Sequence, residues 1–109
     1  MIIYKDYELL ELFESFPHVR YDEIAGIFLY SRQDEYGFTL DMFLYVHENT
    51  CQINLFHKDL EKHLVELNLH CVDSIICKEN KMIIHQYDKS NTLIVDFKPG
   101  YSISFEKNL

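Results

Sequence analysis

Residues 38–47 read Phe-Thr-Leu-Asp-Met-Phe-Leu-Tyr-Val-His, and the side chains at every second position from Phe38 to Val46 are apolar. A period of two residues predicts a strand that buries one face and leaves the other face open. The open face would carry Asp41 and Tyr45, and a carboxylate is costly to bury there without a partner. The stretch therefore predicts a sheet with one exposed face that is partly acidic and partly aromatic.

Further strands are predicted on both sides of this segment. Residues 23–31 are apolar on both faces, as in the central strand of a sheet, and residues 51–56 alternate again after a short connection. Together with residues 38–47 they form a predicted three-stranded meander. Four more strand candidates are separated by turn-forming residues, and they span about 71–78, 82–87, 92–98 and 101–107.

A helix is predicted before the first strand. Asp6 is a suitable N-cap for this helix, and Pro17 is a suitable stop. The apolar residues between them recur at helical spacing, and they are Leu9, Leu12, Phe13 and Phe16. The opposite face of the helix would expose Glu8 and Glu11 to solvent or to a partner.

A second, short helix is predicted between Lys58 and Asn68. Its apolar residues fall on one helical face, and they are Leu60, Leu64 and Leu67. The predicted order of elements is therefore α-βββ-α-ββββ. We interpret residues 1–109 as a single α+β domain, with two helices on one face of a mostly antiparallel sheet of six to seven strands.

Net charge is distributed unevenly along the chain. Residues 1–50 contain ten acidic and three basic side chains, whereas residues 51–109 contain eight acidic and seven basic ones. The first half thus carries −7 of the total formal charge of −8. Such a surface repels nucleic acid and anionic lipid, and it attracts a cationic partner. We therefore expect no nucleic-acid partner and no membrane partner.

No motif for catalysis, metal binding or cofactor binding is visible in the sequence. The six histidines and three cysteines lack the close ligand pairs of a zinc site, since Cys71 and Cys77 are six residues apart on one predicted strand. With three glycines in all, the chain has no glycine-rich phosphate loop. The hypothesis is a non-enzymatic protein without metal or cofactor. A small enzyme that uses His47, His85 and Asp41 as an acid–base set is the alternative.

The cellular location is predicted from the cysteines and the first residues. Three cysteines are an odd number for a disulfide framework, and residues 1–6 lack the basic and apolar regions of a secretory signal. The sequence also lacks a run of about 18 apolar residues, the minimum for a membrane-spanning helix. We expect a cytoplasmic protein with reduced thiols.

Protein recognition is the function class that these observations favour. Acidic residues of the first helix, of the first long strand and of the turn after it would form one binding surface with nearby tyrosines, which are enriched at interfaces. The residues predicted to contact the partner are Glu8, Glu11, Asp22, Glu23, Asp34, Glu35, Tyr36, Asp41 and Tyr45.

An acidic α+β chain of this size, with a helix leading into an antiparallel sheet and no catalytic set, resembles the immunity proteins of bacterial polymorphic-toxin and contact-dependent growth inhibition systems. The resemblance implies that the chain neutralises a cognate toxin domain, often a cationic nuclease, by covering its active site or substrate groove. Carboxylates would compete there with the phosphates of the substrate. We expect a basic toxin domain as the partner, and a monomer when the chain is free.

Two other binding classes remain open at the level of the sequence. The order α-βββ-α-ββ at the start of the chain resembles type III secretion chaperones, which are also acidic and cytosolic. The predicted strand at 101–107 stands where that family has a C-terminal helix. Phage-encoded inhibitors of host defence share the same acidic character and the same lack of a catalytic motif.

Overall fold

The computed structural model describes residues 1–107 of the chain. Within this range the fold contains one α-helix, nine strands and two short 3₁₀ turns. The helix is α1 (Asp6–Phe13), and the 3₁₀ turns are Glu23–Ala25 and Val46–Glu48. The strands are β1 (His18–Arg20), β2 (Ile27–Gln33), β3 (Phe38–Tyr45), β4 (Thr50–His57), β5 (Val65–Leu69), β6 (Val72–Lys78), β7 (Lys81–Gln86), β8 (Asn91–Asp96) and β9 (Ser102–Lys107).

The strands form two antiparallel sheets, each with its strands in chain order. The first sheet is β1-β2-β3-β4-β5 and the second is β6-β7-β8-β9. Short hairpin connections favour this order because they join antiparallel neighbours. The chain leaves the first sheet at Cys71, whose φ of 58° turns the backbone. The predicted antiparallel character is confirmed, but the prediction of a single sheet with six to seven strands is wrong.

The inward faces of both sheets and of α1 share one hydrophobic core. The alternation predicted for residues 38–47 is confirmed as far as Tyr45, because Leu40, Met42 and Leu44 are fully buried in β3, but Val46 and His47 belong to the following 3₁₀ turn. The second sheet contributes alternate residues of β7 and β8, namely Met82, Ile84, Leu93 and Val95. The two sheets therefore pack against each other through the apolar residues at every second position of their strands.

Phe13 connects α1 with both sheets. Its ring centroid is 5.4 Å from that of Tyr30 in β2 and 5.1 Å from that of Phe97, which follows β8. Phe13 is 1% exposed. Aromatic pairs at such separations stabilise a core beyond the burial of their apolar area.

The predicted second helix is absent, and this prediction is wrong. Residues 58–64 form turns in which Leu60 and Leu64 are exposed, so the predicted apolar stripe has nothing to pack against. The next residues form β5 instead, with Leu67 opposite Ile53 of β4. Pairing with the open edge of β4 satisfies backbone groups that a short helix would leave unpaired.

The boundaries of the first helix also differ from the prediction. Lys5 is the N-cap residue and its side chain makes no capping hydrogen bond, while Asp6 lies inside the first turn. The helix ends at Phe13, because the C-cap residue Glu14 has a left-handed φ of 57°, so Phe16 lies outside it and is 83% exposed. As the helix found in residues 1–107, α1 has neither the length nor the apolar run needed to cross a membrane.

The segment before α1 joins the two sheets. The backbone N–H of Ile2 donates to Val46 O at 3.4 Å, and the N–H of Ile3 donates to Asp73 O at 2.9 Å. The N–H of Ile75 in turn donates to Ile3 O at 3.0 Å. These bonds cover part of the free edge of β6, which reduces the risk of pairing with another chain there.

The predicted strand at 23–31 begins later than expected, because Gly26 interrupts it. Gly26 has a φ of 67°, and it separates the 3₁₀ turn Glu23–Ala25 from β2. A Cβ at this position would lie 2.8 Å from Cδ2 of the His47 ring. His47 uses its Nε2 to hydrogen-bond Ile24 O at 3.0 Å, so the ring is not free to move away.

We expect the substitution Gly26→Ala to lower the free energy of unfolding by about 2 kcal/mol, because it adds backbone strain and a clash with His47. Urea unfolding followed by circular dichroism measures this loss. Gly100→Ala is the matched control, since an added Cβ there has no heavy atom within 4 Å. Equal losses in the two variants would contradict this account of Gly26.

Candidate protein-binding surface

Asp34, Glu35 and Tyr36 lie together in the turn between β2 and β3, at the mouth of a cleft of about 670 Å³. We call it the hairpin cleft; its walls are formed by residues 13–15, 31–36 and 97–99. Asp34 Oδ1 accepts hydrogen bonds from the N–H groups of Tyr36 and Phe38, both at 2.9 Å. Asp34 therefore builds its own turn, and the negative charge that the turn presents outward is that of Glu35.

Glu35 and Tyr36 interact at the tip of this turn. Hydrogen bonding to the Glu35 carboxylate raises the pKa of the Tyr36 hydroxyl. Neither Asp34 nor Glu35 forms an ion pair with a base within residues 1–107. The turn thus presents a carboxylate and a phenol side by side, a combination well suited to a basic partner.

Arg32 lines the hairpin cleft, and its side chain is held by several contacts within the protein. Its Nη1 donates to Leu12 O at 2.7 Å, and its Nη2 lies 3.3 Å from Glu14 Oε1. The guanidinium also lies over the ring of Phe97, 5.9 Å from the centroid. Its own backbone carbonyl accepts a hydrogen bond from the Tyr101 hydroxyl at 2.8 Å. Arg32 therefore neutralises Glu14 and fastens α1 to β2.

Glu8 and Glu11 lie elsewhere, in a hollow of about 150 Å³ between α1 and the turn after β6. Glu8 Oε1 accepts a hydrogen bond from the N–H of Cys77 at 3.1 Å, so Glu8 holds α1 against β6. Glu11 forms no hydrogen bond or ion pair within residues 1–107, and it is exposed. Of this pair, Glu11 is the carboxylate available to a partner.

Asp22 and Glu23 lie in the segment after β1. Asp22 Oδ1 accepts a hydrogen bond from the N–H of Ala25 at 2.9 Å and caps the 3₁₀ turn. Glu23 has no side-chain partner within the described residues 1–107. It lines an apolar groove of about 400 Å³ between α1 and β1, together with Asp6 and Tyr7. We call this the helix-side groove.

Asp41 and Tyr45 lie on the outer face of the first sheet, as predicted from the alternation of β3. Asp41 stands opposite Ser31 and Asn54, and it accepts a hydrogen bond from the Ser31 hydroxyl. Phe43, between them on the same face, lies under the guanidinium of Arg20, whose Cζ is 5.8 Å from the ring centroid. Asp41 is therefore satisfied within the sheet rather than free.

The nine predicted contact residues thus lie in four places, and the structure does not bring them into a single cluster. The hairpin cleft gathers Asp34, Glu35 and Tyr36, while the hollow beside β6 holds Glu8 and Glu11. The helix-side groove holds Glu23, with Asp22 next to it in the chain. Asp41 and Tyr45 occupy the outer sheet face. Four of the nine, Glu8, Asp22, Asp34 and Asp41, each make a hydrogen bond that supports the fold.

The residues of the enzyme alternative are separated in the structure. His47 bonds Ile24 O, His85 lies 3.3 Å from Thr92 Oγ1 in the second sheet, and Asp41 bonds Ser31. They do not share a pocket. In the described part of the chain, no group of three His, Cys, Asp or Glu side chains is arranged to hold a metal ion.

Two of the three thiols are shielded from ionisation. Burial raises the pKa of Cys51 to about 12, and burial together with the Glu8 charge raises the pKa of Cys77 to about 12. The reactive form of cysteine is the thiolate, which is scarce at neutral pH when the pKa is this high. Both residues act as apolar side chains of the sheets.

The sequence prediction missed the exposure of Phe16, which it placed in the core. The signal was present, because the residue before a proline disfavours the helical region and Phe16 precedes Pro17. Ile24 was missed as well: it was placed in a central strand, but it lies in a 3₁₀ turn and is 85% exposed. Both residues belong to the segment that borders the helix-side groove.

Comparison with known proteins identifies the fold. The structure is similar to a chain of a contact-dependent growth inhibition toxin–immunity protein complex from Klebsiella pneumoniae 342, with a TM-score of 0.78 and 21% sequence identity. The match covers 96% of this chain and 96% of that chain. No protein family model and no curated protein sequence matches the chain. The resemblance stated from the sequence is therefore confirmed at the level of the fold, whereas the chaperone-like order loses its basis because the second helix is absent.

Proposed function

We propose that this chain is an immunity protein that binds and neutralises a cognate toxin domain of basic character. The observation that carries the proposal is the structural match along almost the whole length to a chain of a toxin–immunity complex. The proposed setting is the cytoplasm of a bacterium that makes the toxin, where the chain is a monomer until it meets its partner.

The charge of the chain favours the role of inhibitor over the role of toxin. A toxin that acts on nucleic acid has to attract phosphates, whereas a chain with a formal charge of −8 repels them. An inhibitor of such a toxin benefits from the same acidity, since opposite charges accelerate the encounter and select the partner. The exposed carboxylates of Glu11 and Glu23 need not break an internal ion pair before they bind, because they have none in residues 1–107.

Neutralisation follows from competition for a basic groove. A nuclease groove presents Lys and Arg side chains at positions that hold substrate phosphates, and carboxylates of this chain would occupy them. The turn between β2 and β3 is suited to this because the two hydrogen bonds to Asp34 hold it in one conformation before binding. A covered groove excludes the substrate, so the inhibitor needs no catalytic group of its own.

The proposal expects a toxin domain to be encoded by the adjacent gene, and the test is growth protection by this chain against that domain. That domain is induced in a bacterial expression strain with and without this chain, and colony counts are compared. We expect the toxin domain alone to stop growth and this chain to restore it, with an equimolar complex visible by native mass spectrometry. A related immunity protein of different sequence serves as the control for specificity.

Two outcomes would overturn the proposal. One is arrest of growth by this chain when it is produced alone, which would make it the toxin. The other is the absence of both protection and complex formation with the adjacent toxin domain.

A further inference from the structure

Unlike the hairpin cleft and the hollow beside β6, the helix-side groove has a mainly apolar lining. One wall of the groove is α1, with Tyr7 and Leu10. The other wall is formed by Phe16, by Val19 of β1 and by Phe28 of β2. The groove has a volume of about 400 Å³, enough for one or two large side chains of a partner. Open apolar grooves of this kind mark interaction sites in proteins that are otherwise well packed.

Large apolar side chains are exposed in residues 16–24, the segment that contributes Phe16, Val19 and Glu23 to the groove lining. Phe16 is 83% exposed, Tyr21 is 89% exposed and Ile24 is 85% exposed. The backbone fixes two of them, since Tyr21 has a left-handed φ of 65° and Asp22 caps the turn that contains Ile24. These three exposed residues lie within nine positions of the chain. A partner that covered them would remove their apolar surface from water, which stabilises a complex.

Acidic groups surround the apolar lining. Asp6 and Glu23 both line the groove, and neither forms an ion pair with a base in residues 1–107. Burial and then the charge of the Asp6 carboxylate raise the pKa of Tyr4, another lining residue. Lys5, the residue before Asp6, lies over the ring of Tyr7, with its Nζ 5.9 Å from the ring centroid, and it forms no ion pair with Asp6 or Glu23 in residues 1–107.

We infer that the helix-side groove receives a segment of the toxin in which an apolar anchor side chain is flanked by Lys or Arg. The inference rests on the proposed function and adds the chemistry of the contact. The anchor fills the space between α1 and β1 and covers Phe16, while the flanking cations pair with Asp6 and Glu23. Buried apolar anchors often carry much of the binding energy of an interface, and charge pairs around them favour encounter with the right partner.

A second copy of this chain is a poorer occupant of the groove. Each copy carries a formal charge of −8, most of it from the half that contains the groove, so pairing two grooves would bring like charges together. A basic segment of a partner would instead be attracted by the acidic residues of the groove. Charge therefore selects the toxin over self-association.

The inference is tested with three variants and the toxin domain encoded by the adjacent gene. Calorimetry is expected to show at least about a 30-fold loss of affinity for Phe16→Ser and at least about a 10-fold loss for Glu23→Lys. Phe105→Ser is the matched control, because Phe105 is a 54% exposed aromatic residue on β9 that does not line the groove, and it should change affinity less than about 3-fold. Hydrogen exchange should slow in residues 16–24 when the complex forms.

The outcomes separate this inference from the proposed function. Wild-type affinity in both Phe16→Ser and Glu23→Lys, with growth protection retained, overturns the groove and leaves the immunity role standing. A wild-type chain that neither binds nor protects overturns both. Dimerisation of the free chain that Phe16→Ser abolishes, with toxin binding unchanged, also overturns the groove inference, since it makes the groove a contact between copies.

Discussion

The variant in which Glu11, Glu23 and Glu35 are all replaced by lysine is expected to bind the toxin domain at least about 100-fold more weakly than the wild-type chain. All three side chains are exposed, and none forms an ion pair in residues 1–107. Each replacement turns an attraction toward a basic partner into a repulsion. Because none of the three makes a hydrogen bond to the backbone, the fold should survive.

The choice of these acids over their neighbours follows from the contacts in the structure. Reversal of Asp22 or Asp34 would remove the hydrogen bonds that hold their own turns, and a loss of binding would then have two explanations. Glu8 has the same difficulty because it holds β6 through Cys77. The three single variants, Glu11→Lys, Glu23→Lys and Glu35→Lys, then show which region carries the contact.

The matched control is the triple replacement of Glu61, Asp88 and Glu106 by lysine. These acids are also exposed, and the change in net charge is the same, but they lie in the second half of the chain. Calorimetry at low and at high salt should show a small loss for the control and a steeper salt dependence for the wild type than for the first triple variant. Equal losses of affinity in the two triple variants would mean that binding depends on the net charge of the chain and not on acidic residues of its first half.

The sequence was sufficient for the parts of the fold that depend on local periodicity. The buried face of β3 follows from alternate apolar residues between Phe38 and Leu44, and the strands of the second sheet follow from similar patterns between turn residues. The element that failed was the stretch with Leu60 and Leu64. Leu60, Leu64 and Leu67 fit one helical face, but only Leu67 enters an element, since residues 65–69 pair with the open edge of β4 as β5.

The sequence predicts that the candidate site is acidic, but it does not predict which of its residues support the fold and which are free to bind. The excess of acids in the first half is a property of the composition, and their exposure follows from it. Whether a given carboxylate is free depends on which N–H group lies within reach. Glu8 accepts a hydrogen bond from Cys77 across 69 positions of the chain, while Glu11, one helical turn later, forms no hydrogen bond or ion pair within residues 1–107. Contacts of that range leave no trace in local sequence.

Replacement of Phe13 by alanine is expected to lower the free energy of unfolding by about 3–5 kcal/mol. The ring is almost fully buried between Tyr30 and Phe97, so its removal leaves a cavity at the point where α1 meets both sheets. A domain of this size is stabilised by about 5–15 kcal/mol in all, so the variant would lie near the limit of folding. Urea unfolding at 25 °C measures the loss.

Phe16→Ala is the matched control for Phe13→Ala, since it removes the same ring three residues later in the chain. With Phe16 83% exposed and outside the helix, the control should change the free energy of unfolding by less than about 0.5 kcal/mol. A loss of several kcal/mol in the control would mean that Phe16 is packed, and the groove beside it would then lose its exposed aromatic. We expect instead that the Phe16→Ala variant is stable and binds the toxin weakly. The two rings would then have different roles, since Phe13 holds the helix in place and Phe16 remains exposed for the partner.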